Sequence, residues 1–233
     1  QIILTNPAAR VRPPHCERKE ALYLDEIQAA HLLELLEAEP MQYKTAVTLL
    51  LYSSMRRGEL LGLEWPDIDF ENCTVSISRT SQYLPGKGIF TKEPKTKTST
   101  RVIKLADDAV NLLRKYRIWQ NQQRLALGDQ WQKTDRLFTA WNGAPMHPDV
   151  LSGWFEDFVK RTDLPKGLHL HSLRHTNATL MIAGGEDVLT VSRRLGHAQA
   201  STTTNIYGHA IQAANAKAAE TLQHILKPLS EKA

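Results

Sequence analysis

Strand-like alternation is confined to one stretch of this chain, Cys73 to Leu105, with a short extended piece at 135–139; elsewhere apolar residues recur at helical spacing. Cys73-Thr74-Val75-Ser76-Ile77-Ser78 alternates as a half-buried strand does, which predicts a strand over 73–80. Two further strands are expected, around Ile89-Phe90-Thr91 and from Thr100 to Leu105, completing one small antiparallel sheet. Before it come a helix capped by Asp25, with Leu32, Leu35 and Leu36 on one face, and a second from about Tyr43 to Ser53. Gly58 and Gly62 read as breaks ahead of Trp65-Pro66. After the sheet a long helix runs from Ala106 to about Leu127 and is closed by Gly128, with others at about 147–162, 172–183, 187–195 and 209–227. Strands gathered in one place, with helices on either side, predict a mostly helical α+β fold and not a wound parallel sheet.

The 233 residues suffice for one large domain or two small ones. Residues 1–20 carry Pro7, Pro13 and Pro14 among Arg10, Arg12, Arg18 and Lys19, and read as a linker or extended arm. Twenty-nine basic against 25 acidic residues give a net charge of only +4, so the total alone identifies no partner. Its distribution says more. Between Gly86 and Lys104 lie Lys87, Lys92, Lys95, Lys97, Arg101 and Lys104 against the single acid Glu93, a local excess that suits a polyanion or a solvated hairpin tip. Cys16 and Cys73, far apart and without a CxxC pattern, exclude a disulfide framework or a cysteine-rich zinc site. No run approaches the ~18 apolar residues of a membrane span, and the expectation is a soluble protein of the cytoplasm.

The chemistry-bearing residues fall in one order: Met55-Arg56-Arg57-Gly58-Glu59-Leu60, the lysine-rich segment, His171-Ser172-Leu173-Arg174-His175, Leu195-Gly196-His197, and Tyr207 ten residues later. Two separated guanidinium groups match the oxygens of a phosphate bidentately and stay charged at neutral pH. A tyrosine can attack such a phosphate covalently. Arg57 reads as a surface residue paired with Glu59 or another acid. His171 is placed as a proton acceptor near the phosphate, where an imidazole titrates in the useful range. His175, one turn on, is expected to make a structural hydrogen bond, and His169 reads as incidental. Gly196 is expected to end a helix with His197 just past it, and Ser201 to cap a short helix leading to Tyr207. His171 and His175 also have zinc-ligand spacing, but no Glu follows the first histidine and no third ligand lies nearby. No phosphate loop, nucleophile elbow or dinucleotide fingerprint is present, and no cofactor is expected.

In this order and spacing the residues resemble the tyrosine recombinase (phage integrase) family, most of all the integrases of conjugative transposons, over about residues 21–227. The resemblance implies a site-specific DNA recombinase that cleaves and rejoins strands through a 3′-phosphotyrosine, without metal or ATP. Arg56 and Arg174 would clamp the phosphate, His171 would assist proton transfer from the nucleophile, His197 would hydrogen-bond a non-bridging oxygen, and Tyr207 would be the nucleophile. A hairpin lysine would protonate the leaving 5′ oxygen; Lys95 fits the P-K-T-x-x-S-x-R pattern better than Lys97. Ser53-Ser54 departs from the Thr-Gly common in relatives, a change expected to be tolerated. Residues 1–20 would end a core-binding domain, and 21–233 would be catalytic. Ile211, Ala214, Ala218, Leu222, Ile225 and Leu229 recur at helical spacing, and this terminal helix packs either on its own domain or on a neighbouring protomer of a tetramer assembled on double-stranded core sites. A type IB topoisomerase, a DNA-binding module that never cuts and a metal-dependent nuclease remain as alternatives.

Overall fold

The structure is a computed structural model and describes residues 21–92 and 100–208, with residues 6, 11, 211, 223 and 226. It is α+β. Three helices lead: α1 (Glu26–Leu36), α2 (Met41–Ser53) and α3 (Arg57–Gly62). Five short strands follow, β1 (Ile68–Asp69), β2 (Thr74–Ile77), β3 (Thr80–Leu84), β4 (Gly88–Lys92) and β5 (Arg101–Lys104), and then α4 (Asp107–Leu127), α5 (Pro148–Lys160), α6 (Leu170–Ala183), α7 (Val188–Leu195) and α8 (Ala200–Ile206). Local chemistry sets several ends. The Asp25 carboxylate accepts the Gln28 amide at 2.8 Å while Gln28 returns a bond to the Asp25 amide, a reciprocal cap on α1. Asp187 accepts two amides at the start of α7, and Gly128 ends α4 with φ +53.

The strands form two sheets, not the single one expected. β1, β2 and β5 pair antiparallel in the order β1-β2-β5, and β3 and β4 make a separate hairpin. The strand expected over 73–80 spans only Thr74–Ile77, and from Thr80 the chain belongs to the separate hairpin; between them Arg79 has its guanidinium held by Asp67 at 2.5 Å and Glu64 at 3.1 Å. β3 escaped the alternation test because only Ser81 of its five residues is buried.

Gly58 and Gly62 break nothing. They lie one turn apart inside α3, and a Cβ at Gly58 would come within 2.8 Å of the Thr80 methyl, one at Gly62 within 3.0 Å of the Arg79 carbonyl. Both glycines let β3 lie directly on α3, so the hairpin that leads into residues 93–99 is packed beside Arg56. The main core joins α1, α2, α4 and α5 to one face of the three-stranded sheet through Leu32, Leu50, Val75, Tyr116, Phe138 and Phe155. A second, smaller cluster unites α6, α7 and α8: Ala178, Ile182, Val191, Leu195 and Tyr207. The C-terminal run expected at 209–227 lies outside the described residues, except for positions 211, 223 and 226, each of which is helical.

Candidate active site

Arg56 follows α2 by three residues and caps α3. The turn that brings it there depends on Ser54, which ends α2 in the left-handed region at φ 58, ψ 18. An L-residue pays about 1–2 kcal/mol in that conformation, which is why a glycine would sit there comfortably. Ser54 offsets part of the cost through a hydrogen bond from its hydroxyl to Asn177 on α6. Its carbonyl accepts Nη1 of Arg174 at 2.6 Å. One turn thus sets the direction of both arginines.

Arg174 lies in the second turn of α6, a helix that begins at Leu170 and not at Ser172. His169 is its N-cap, with Nδ1 accepting the Ser172 amide at 3.0 Å, so that histidine has a local task the sequence did not suggest. Arg174 is only 2% exposed, and its Nη2 is buried with no hydrogen-bond partner among the described residues. A buried donor left unpaired costs free energy unless a ligand completes it. Burial first, and then the charge of Arg56, push the Arg174 guanidinium down to about 9, which leaves it charged at neutral pH.

Glu59 ties the site together. Its carboxylate accepts the Arg56 backbone amide at 2.9 Å and Arg56 Nη1 at 2.8 Å, and it accepts Arg101 Nη2 at 2.7 Å. Arg101, on β5, also donates Nε to the Arg194 carbonyl at the end of α7, 2.8 Å away. Gly196 follows with φ +70, and a Cβ there would meet the Arg101 guanidinium at 2.9 Å. Arg101 is therefore engaged inside the protein and is not a surface cation of the basic run. Lys104 donates to the Asn72 carbonyl at 2.6 Å and, like Lys87 and Lys92, is exposed. Lys95 and Lys97 lie outside the described residues. Arg57 turns away to Ser152 at 2.6 Å and Asp149 at 3.4 Å, so its acid is Asp149 and Glu59 belongs to its neighbour.

The helix α8 begins at Ala200 after Gln199, not behind a Ser201 cap. Thr203, wholly buried, does two jobs: its carbonyl accepts the Tyr207 amide at 2.9 Å, and its hydroxyl bonds His197 Nδ1 at 2.8 Å. That bond fixes the ring so that Nε2 is left for another partner. Thr203→Val keeps the volume but removes the hydroxyl; if the site cleaves strands as the resemblance implies, cleavage is expected to slow on the order of tenfold, the scale of one oriented hydrogen bond. A single-turnover cleavage assay checks this, with thermal unfolding as a control on the fold.

Tyr207 is 2% exposed and its hydroxyl is hydrogen-bonded to His175 Nδ1 at 2.9 Å. Burial raises the phenol to about 12, against the opposing pull of Arg174. The His171 ring stands perpendicular to that of His175, with centroids 4.8 Å apart. Burial lowers His197 to about 4, and the next contributions come from Arg174, Arg56 and Arg101. Burial and Arg174 also lower His171, and burial and His171 lower His175 to about 4. The three imidazoles are thus neutral at pH 7 beside the arginines, with Glu59 a carboxylate among these charges. An anion placed among them would be stabilised by the cations and would raise the histidines again. Arg56, His171, Arg174, His197 and Tyr207 are brought to one region. Sequence reasoning missed the parts played by Glu59 and Thr203; for His175 it expected a structural hydrogen bond, and the partner it did not name is the Tyr207 hydroxyl. Only Glu59 had a visible signal, an acid three residues after Arg56.

Open concavities lie on either side of Arg57, one bordered by Arg56 and β3, the other by His169 and His171. A further groove, lined by Tyr43, Trp119, Trp131 and Trp141, borders none of these residues. Among the described residues no helix is long and apolar enough to cross a membrane.

This helical fold with its small sheets is that of tyrosine recombinase catalytic domains. The Tn1549 transposon integrase, solved in complex with transposon right end DNA, superposes with a TM-score of 0.74 at 26% identity over 92% of this chain and 71% of that one. XerA recombinase gives 0.67 at 26% identity over 95% and 72%. The phage integrase family matches residues 22–213, and the chain belongs to that family. Among its relatives, the ICEBs1 integrase of Bacillus subtilis (strain 168) is 28% identical over 97% of this chain and 61% of its own length. A tyrosine recombinase of Thermosipho africanus (strain TCF52B) is 30% identical over 89% and 64%. The chain thus spans less than two thirds of these relatives' length.

Proposed function

We propose that this chain is the catalytic domain of a site-specific DNA recombinase, an integrase that cuts and rejoins strands of a mobile element through a 3′-phosphotyrosine. The observation that carries the reading is the buried Nη2 of Arg174, without a hydrogen-bond partner among the described residues, set among the charges of Arg56 and Arg101 and next in sequence to the histidine that holds the Tyr207 hydroxyl. Arg56 and Arg174 clamp the scissile phosphate and offset the charge that grows on its oxygens in the transition state. His197, oriented by Thr203, donates to a non-bridging oxygen, and the exposed His171 faces the phosphate beside it. Tyr207 attacks phosphorus, and the ester keeps the energy needed for religation, so no nucleotide is consumed. Lys95, ahead of Lys97, protonates the leaving 5′ oxygen.

Double-stranded DNA is the partner, its backbone following the concavities beside Arg56 and Arg57 and meeting exposed Lys87 and Lys92. Residues 1–20 form the linker from a core-binding domain, and the 209–227 helix links protomers of a tetramer in the cytoplasm. Covalent trapping tests the reading. The chain, incubated with EDTA and nicked duplexes at low salt, is expected to give an SDS-resistant protein–DNA adduct that Tyr207→Phe abolishes. An adduct that survives in Tyr207→Phe would assign the nucleophile elsewhere.

A further inference from the structure

His171 and His175 share a face of α6, and the geometry divides their work unequally. The Tyr207 hydroxyl bonds to His175 Nδ1 at 2.9 Å, within reach for proton transfer. His171 makes no hydrogen bond to that hydroxyl among the described residues. It is the exposed member of the pair, and His175 is half-buried between it and the phenol. Resting on the reading of Tyr207 as nucleophile, we propose that His175, and not His171, accepts the phenolic proton when the tyrosine attacks.

The step balances. As the Tyr207 oxygen bonds to phosphorus, its O–H bond breaks and the proton passes to His175 Nδ1. The electron pair of the P–O5′ bond leaves with the 5′ oxygen, which takes a proton from an ammonium side chain of the lysine-rich segment. At the midpoint the phosphorane has gained one negative charge and the imidazole one positive charge, so the site's net charge is unchanged. Before DNA arrives His175 is neutral, held so by burial and by His171, Arg174 and His169, and a neutral imidazole is what can accept a proton. The phosphate then brings the negative charge that makes imidazolium formation favourable. His171, not engaged by the phenol, is free to face the phosphate from the exposed side.

The test separates proton acceptance from positioning. His175→Asn places an amide near the position of Nδ1, able to hold the phenol by a hydrogen bond but unable to take its proton. The 233-residue chain is offered a pool of nicked duplexes randomised around the nick, in two forms: ordinary phosphate, and 5′-bridging phosphorothiolate, whose sulfur leaves without protonation. Single-turnover adduct formation by His175→Asn is expected to be about 10²-fold slower or more on both forms. A rate equal to that of the unsubstituted chain would make His175 a positioning residue only. Slow cleavage of the phosphate restored on the phosphorothiolate would place it on the leaving-group side. Either result overturns the proposal. Absence of adduct from the unsubstituted chain on both forms would bring down the nucleophile reading itself. Should the variant fail to fold, nitrogen-15 shifts of His175 in the unsubstituted chain decide. An unprotonated Nδ1 supports the proposal, and an Nδ1–H donating to the phenol overturns it.

Discussion

Arg174→Lys is expected to slow strand cleavage by about 10²–10³-fold while the domain stays folded. The guanidinium at this position uses its two ends differently: Nη1 is committed to the Ser54 carbonyl at 2.6 Å, and Nη2 is buried with no partner among the described residues. A fork can serve protein and phosphate at once, whereas an ammonium is a single point on a different stem and must choose. The environment makes matters worse for lysine. Burial and the neighbouring Arg56 already lower a guanidinium here, and a group with a lower starting value would lose its charge sooner. Single-turnover adduct formation measures the loss, and thermal unfolding checks the fold. Cleavage within a few-fold of the unsubstituted chain would show that the second nitrogen does not meet the phosphate.

Glu59→Ala is expected to destabilise the domain by about 3–5 kcal/mol, because it breaks a buried ion pair by removing its carboxylate. Arg101 has a side chain only 7% exposed, and Glu59 is its salt-bridge partner. For a chain of this size the loss corresponds to a fall in unfolding midpoint on the order of 10 °C. Glu59→Gln tests the charge alone. Burial by itself would raise the Glu59 carboxyl, but the hydrogen bond and charge of Arg101, aided by Arg56, outweigh it and hold the group below its ordinary value of 4.5. A carboxylate lowered by folding contributes stability that is full above its unfolded value and is lost as pH falls through the folded one. The unsubstituted domain should therefore lose stability on acidification below about pH 4.5, and Glu59→Gln should start lower and lose less over the same window. Parallel stability curves for the two would show that the carboxylate's charge is not what holds Arg101.

Helix periodicity, with Asp25 and Gly128 as signals, located α1 and α4 because those residues act locally, through caps within a turn of their own backbone. The motif order singled out Arg56, His171, Arg174, His197 and Tyr207 for a different reason: the proposed covalent chemistry on a phosphate needs few residue types, and these stood in sequence, while the fold brings them to one region. What stayed hidden depends on contacts between distant segments. Gly58 and Gly62 look like helix breakers until β3 is laid against them. Glu59 looks like a surface partner for Arg57 until Arg101, 42 positions away, takes its other face. The hydroxyl of Thr203 and the Nδ1 of His175 acquire their roles only when α6, α7 and α8 close on one another. β3 was missed because its residues are mostly exposed, so it carries no alternation to read.

The placement of Tyr207 has a mechanical consequence. Its ring is one of five side chains that make up the cluster joining α6, α7 and α8. On the proposed reading, in which the phenol carries a DNA strand, the broken end would be bolted to a packed wall instead of swinging on a surface arm. Withdrawing an aromatic ring from such a cluster costs about 1.5–3 kcal/mol, so the end would stay where it was cut, within bonding distance of the strand that displaces it.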